Sequence, residues 1–113
     1  MAAGVLSFKG EIMKKRIYIS GPMTGFEDYN YPAFHKEAGR LRAMGHVVES
    51  PAENKPPLCG TWAGYLKQDI VQLLKCNCIA TLPGWRKSKG ARLEVYIAKA
   101  LGIEVRKANG IKR

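Results

Sequence analysis

The apolar positions change period along the chain, and the changes mark elements. Ile17-Tyr18-Ile19 sits in a β-rich run, Arg16–Ser20, that stops at Gly21-Pro22. Over residues 32–44, Phe34, Ala38 and Leu41 recur on one helical face, and Gly45 ends the pattern. Asn30 stands where a cap is expected, and Pro32 is tolerated in a first turn. Val47-Val48 predicts a second strand over 46–49, and the proline-rich stretch 50–60 reads as a loop. Thr61 is placed to cap a helix from 62 to about 75, with Trp62, Leu66, Ile70, Leu73 and Leu74 as its apolar stripe. A third strand follows over 78–82, a loop over 83–89, a helix over 90–102 closed by Gly102, and a fourth strand over 103–106.

Strands alternating with helices through short connections imply βαβ units and a mostly parallel sheet of four to five strands in an α/β domain. Right-handed crossovers place helices on both faces, a three-layer sandwich. Ligands of such sheets bind beyond the carboxyl ends of the strands, here loops 20–29, 50–60 and 83–89. The domain is expected over 14–107. Residues 1–13 read as a disordered extension, with Met13 a natural start, and residues 108–113 as a basic tail.

One residue breaks the pattern of the last helix. At about 100° per residue, Leu93, Ile97, Ala98, Ala100 and Leu101 form a stripe, and Glu94 projects inside it. A carboxylate is rarely buried without a partner or a task. Lying in a first turn, Glu94 is favoured as an anion by the helix dipole and is a candidate nucleophile. Asp69 projects beside Trp62 at the border of the preceding helix's buried face, a second carboxylate for the same cleft.

Composition narrows the context. The 19 Lys and Arg against 9 Asp and Glu leave a net charge of +10, which favours anionic partners. No apolar run approaches the ~20 residues of a membrane span, and the beginning of the chain lacks the long apolar stretch of a signal peptide. The three cysteines are then expected as reduced thiols in a cytoplasm. Cys76 and Cys78 have neither redox nor zinc spacing, and His35 and His46 lack matching ligands, so no metal or other cofactor is expected.

The loops supply further candidates. In Ser20-Gly21-Pro22-Met23-Thr24-Gly25 the glycines let backbone N–H groups approach an anion, and Ser20 and Thr24 add hydroxyls. It is neither a dinucleotide fingerprint nor a P-loop. Trp85, between Gly84 and the basic run Arg86-Lys87-Ser88-Lys89, could stack on a base. Ser88 and Gly90 precede the Glu94 helix, whose first N–H groups can hold a phosphate or sugar hydroxyl.

Taken together, Tyr18-Ile-Ser-Gly-Pro, Asp69, Leu82-Pro-Gly-Trp, Ser88-x-Gly90-Ala-x-x-Glu94 and Ala98-x-x-Leu101-Gly102 resemble the nucleoside 2-deoxyribosyltransferase-like superfamily. They are closest to a small branch of uncharacterised phage and prophage proteins, DUF4406-like. The resemblance covers about residues 16–106. It implies a Rossmann-like (flavodoxin-like) fold and cleavage of a nucleoside or nucleotide N-glycosidic bond, or deoxyribosyl transfer, through a covalent intermediate on Glu94. It further implies that Asp69 binds sugar hydroxyls or assists the leaving base, and that Tyr18 orients the nucleophile. Ser88 matches a position that is Asp in the transferases and Ser in the nucleotide hydrolases. Ser20, Gly21, Pro22, Met23, Thr24, Trp85, Gly90 and Arg92 would complete the substrate site. Thr24 stands where the hydrolases carry a phosphate-binding Arg. The alternative is a non-catalytic nucleotide-binding module of the same fold. A homodimer or higher homo-oligomer is expected. Nucleic acid is not an expected partner, because the charge is dispersed and no nucleic-acid-binding motif is present.

Overall fold

The computed structural model describes residues 14–112. The proposed extension, residues 1–13 with its Met13 start, lies outside the described residues. Among the described residues the element order is β1 (Arg16–Ser20), α1 (Tyr31–Ala43), β2 (Val47–Glu49), α2 (Trp62–Leu74), β3 (Cys78–Thr81), α3 (Lys89–Ala100) and β4 (Glu104–Lys107), with short 3-10 turns between them. The four strands form one all-parallel sheet in the order β2-β1-β3-β4. This is an α/β fold, consistent with a Rossmann-like three-layer sandwich. No helix among the described residues is long and apolar enough to cross a membrane.

The chain leaves β1 toward β2 and returns past it to β3, so the order of connection reverses between β1 and β3. Side chains on a strand alternate faces. Ile17 and Ile19 of β1, with Cys78 and Ala80 of β3, pack under Phe34, Ala38 and Leu41 of α1. On the opposite face Tyr18 and Ile79 pack with Leu73 of α2 and with Val95 and Ala98 of α3. Gly21 lets the ends of β1 and β3 close up: a Cβ there would lie 2.8 Å from Leu82 Cβ. Gly45, at φ 99°, ends α1 in a conformation costly for other residues.

Several expectations need correction. The stripe of α3 is rotated. Its buried residues are Ala91, Glu94, Val95 and Ala98, while Leu93 and Leu101 are exposed and Ile97 is half-buried. Small residues at 91 and 98 let α3 approach the sheet closely, and the larger leucines are left outside. Of the α2 stripe only Leu73 is buried, whereas Trp62 and Leu74 are half-exposed. The first half of α2 overhangs a cavity rather than the sheet. Asn30 occupies the N-cap position of α1 in a left-handed conformation and makes no side-chain cap. Its amide donates to Pro22 O at 2.9 Å instead. The segment read as a tail joins the fold: Ala108 and Ile111 are buried in the α1-side core. The Arg40 guanidinium donates to both their carbonyls, at 2.6 and 2.8 Å.

Candidate active site

A cavity of about 390 Å³ opens beyond the carboxyl ends of β1, β2 and β3, beside the reversal in strand order. Glu94 and Asp69 both line it, from α3 and α2. The rest of the wall includes five aromatic side chains, Tyr29, Tyr31, Phe34, Trp62 and Tyr65.

Glu94 is 5% exposed. Its burial is tolerated because β1 offers two hydroxyls two residues apart, hence on one face of the strand. Tyr18 OH donates to Glu94 Oε2 at 2.8 Å, and Ser20 Oγ donates to Oε1 at 2.6 Å. Each carboxylate oxygen keeps a further lone pair. Burial pushes the Glu94 carboxyl up to about 7. The two hydroxyls pull against that rise, and the nearby Asp69 charge adds to it. Burial likewise pushes Asp69 up to about 6, with a hydrogen bond from Asn54 pulling it back. Tyr18 is held well above the ordinary tyrosine range by burial, then by Glu94 and Asp69, and so remains a proton donor to Glu94.

The remaining expected site residues divide. Gly21, Met23, Thr24, Ser88 and Gly90 line the cavity with Asp69 and Glu94. Tyr18 and Ser20 lie fully buried and reach the cavity through Glu94. The Ser88 hydroxyl caps α3, accepting from Ala91 N–H at 3.1 Å. Pro22 is buried away from the lining and holds Asn30 through its carbonyl. Trp85 is also away from the lining: it packs against the α2–α3 core, with the Arg86 guanidinium 4.7 Å over its ring. Arg92 is exposed and donates to Arg86 O at 2.9 Å, bracing its own loop. Its side chain faces solvent because the buried arc of α3 lies on the other side of the helix.

Sequence reasoning passed over most of the wall. Tyr29 lies within, and Tyr31 follows, a turn in which Asp28, Tyr29 and Asn30 are all left-handed, at φ 54°, 51° and 62°. Each costs on the order of 1 kcal/mol outside glycine. Trp62 and Tyr65 project from α2, and Lys89 Nζ lies 4.7 Å over the Trp62 ring. The available signal was the aromatic density of the segments following β1 and β2. The chain is strongly basic, yet among the described residues the cavity lining includes two carboxylates and no Lys or Arg. Among the described residues no group of three His, Cys, Asp or Glu side chains converges as a metal would need.

A search of curated proteins finds no match to this chain. A family profile described as Domain of unknown function (DUF4406) matches residues 15–107, from the residue before β1 to the end of β4. The chain therefore belongs to the DUF4406 family.

Proposed function

We propose that this protein breaks the N-glycosidic bond of a deoxynucleoside, with Glu94 as nucleophile, and either hydrolyses or transfers the deoxyribosyl group. The observation that carries the proposal is the cradle of Glu94: a buried carboxylate, oriented by Tyr18 and Ser20, facing an aromatic cavity that holds a second carboxylate. The likeness of its Ser-Gly-Pro and Gly-Ala-x-x-Glu segments to the nucleoside 2-deoxyribosyltransferase-like superfamily supports the same chemistry. One Glu94 oxygen attacks the anomeric carbon. The carbon–nitrogen bond breaks, its electron pair leaves with the base, and the base takes a proton from Asp69. Water or a second base, giving up its proton to the Asp69 carboxylate, then displaces Glu94 from the sugar carbon and restores both carboxyls.

Attack needs Glu94 ionised, and assistance to the leaving base needs Asp69 protonated. With the two carboxyls at about 7 and about 6, the pair holds one proton between those values, and the rate is a bell across that window. The proton prefers Glu94, so the productive arrangement is the minor one until substrate shifts the balance. The aromatic wall suits the faces of a base and sugar. Exposed apolar side chains on α2 and α3, such as Val71, Leu74 and Leu93, support a homo-oligomer.

The test is release of free base from a panel of deoxynucleosides and their monophosphates, followed chromatographically. Base release by the wild type that is lost in Glu94→Ala supports the proposal, as does a deoxyribosyl adduct on the Glu94 peptide by mass spectrometry. Nucleoside binding with no release from any substrate sinks it in favour of a binding module.

A further inference from the structure

Filling the cavity sets the attack a problem. Glu94 is buried beside it and held by Tyr18 and Ser20, and it must be ionised to act as a nucleophile. A neutral ligand expels water from around that carboxyl and favours its protonated form. Asp69 lines the same cavity, so a second carboxylate loses its water at the same moment. A ligand that brings a positive charge does the reverse and favours both carboxylates in their ionised forms.

The wall adds an attraction of the same sign. Tyr29, Tyr31, Phe34, Trp62 and Tyr65 line the cavity with the two carboxylates. Aromatic faces draw cations, most strongly where water is excluded. One ring of this wall already does so, since the Lys89 ammonium lies 4.7 Å over Trp62. The groups come from separate elements: Glu94 from α3, Asp69, Trp62 and Tyr65 from α2, and Tyr31 and Phe34 from α1. The net charge of the chain, +10, opposes a cation, so any preference for one must come from the cavity itself.

We propose that this cavity prefers a flat heteroaromatic cation, so that the deoxynucleoside it accepts carries a base of the pyridinium type, with a fixed positive charge on the glycosidic nitrogen. That the cation is a nucleoside base rests on the glycosidic reading, whereas the preference for a cation can be measured without turnover. Such a base also changes what Asp69 must do. One Glu94 oxygen bonds to the anomeric carbon, the carbon–nitrogen bond breaks, and its electron pair neutralises the ring nitrogen. The base leaves uncharged and takes no proton. Water then attacks the sugar carbon, gives its proton to the Asp69 carboxylate and frees Glu94. Both carboxyls are ionised in the productive state, which is the major one above about pH 7. Release of a cationic base therefore rises with pH to a plateau, where release of a neutral base has already fallen.

The titratable and charged groups around the pair are Tyr18 of β1 behind Glu94, Tyr29 before α1, Tyr31 of α1, Tyr65 of α2 and Lys89 of α3. His35 of α1 meets the Tyr31 ring edge-on, at 6.1 Å between centroids. Because of His35, a carboxylate variant and not the pH profile alone decides the cause.

The test compares 1-methylnicotinamide with 3-methylbenzamide, which has the same shape and no charge. Each is titrated into the full-length 15N-labelled protein at matched ionic strength and followed by amide NMR shifts. At pH 8 the cation is expected to bind about tenfold or more tightly than its neutral isostere. The ratio falls as pH is lowered through about 7 and about 6. At pH 8 it also falls, about threefold or more, in Asp69→Asn and in Glu94→Gln. Equal or tighter binding of 3-methylbenzamide, binding of neither compound, or a ratio that both variants leave intact overturns the proposal. Nicotinamide 2′-deoxyriboside and neutral deoxynucleosides then supply the turnover arm. A cation preference in a protein that releases no base from any of them upholds the cation site and sinks only the glycosidic reading. Base release without a cation preference sinks only the cation site.

Discussion

Strand β1 sends Ile17 and Ile19 to one face of the sheet and Tyr18 and Ser20 to the other, and the two faces are built on different terms. On the α1 side the contacts are those of a conventional core: Phe34, Ala38 and Leu41 close over β-branched and small residues. On the α2–α3 side the apolar cluster of Leu73, Ile79, Val95 and Ala98 gives way, toward the end of β1, to a carboxylate and the two hydroxyls that hold it. One face contributes stability through apolar area. The other accepts a cost in stability to keep a charged group oriented in a cavity. Glu94 and Asp69, both pushed upward by burial, are the measure of that cost.

The sharpest break of this contrast is Glu94→Ala. Base release is expected to fall by about a thousandfold or more, while the circular dichroism spectrum is unchanged. The opposite face is broken by Leu41→Ala, a fully buried site. Urea denaturation should show a loss of roughly 2–5 kcal/mol, with the pH dependence of activity unmoved.

The third prediction follows from linkage. The Glu94 carboxyl stands at about 7 in the fold against 4.5 ordinarily. The folded state then binds the extra proton between those values. Stability from this group is full below about 4.5 and is lost as pH rises to about 7. The loss is on the order of 3 kcal/mol, and Glu94→Gln should remove most of it from a plot of unfolding free energy against pH. A wild type more stable at pH 8 than at pH 5 would contradict this account.

Tyr18→Phe should act more mildly. It removes one donor to a charged acceptor, worth roughly a 10–100-fold loss of turnover. It also moves the alkaline limb of the rate profile upward, because Glu94 keeps the shared proton and the Tyr18 hydrogen bond pulls the Glu94 carboxyl down. The smallest effect belongs to Arg92→Ala. The side chain is exposed and bound to a loop carbonyl, so activity should be unchanged and stability should move by less than about 0.5 kcal/mol.

Much of the fold was legible because its signals are local. The β-branched run of β1, the face Phe34-Ala38-Leu41 and the glycine after α1 each specify their element without reference to anything distant. The burial of Glu94 was legible for a weaker reason. Apolar residues surround it on the helix from more than one direction, so it falls on an apolar arc whichever one is buried. That same abundance hid the true arc. Leu93 and Leu101 compete with Ala91 and Val95, and only the closeness of α3 to the sheet resolves the competition. Trp62 was taken for core because periodicity cannot distinguish a side chain covering a sheet from one covering a cavity. Arg92 was placed at the site as a basic residue able to complete an anion site, although it is exposed to solvent.

By itself, then, the sequence determined the alternation of strands and helices, the parallel sheet that follows from it, and two carboxylates as candidates for chemistry. Those depend on patterns within a few residues and on connection rules that hold for any such chain. Only the tertiary structure decided that Tyr18 and Ser20 meet opposite oxygens of Glu94 across 76 and 74 residues of chain. It alone decided that Asn54 of the loop after β2 meets Gln72 of α2 and lines the cavity with Asp69, and that five aromatic side chains stand in its wall. Such contacts join segments far apart in the chain, and each is selected by packing and hydrogen-bond satisfaction in three dimensions rather than by any local preference.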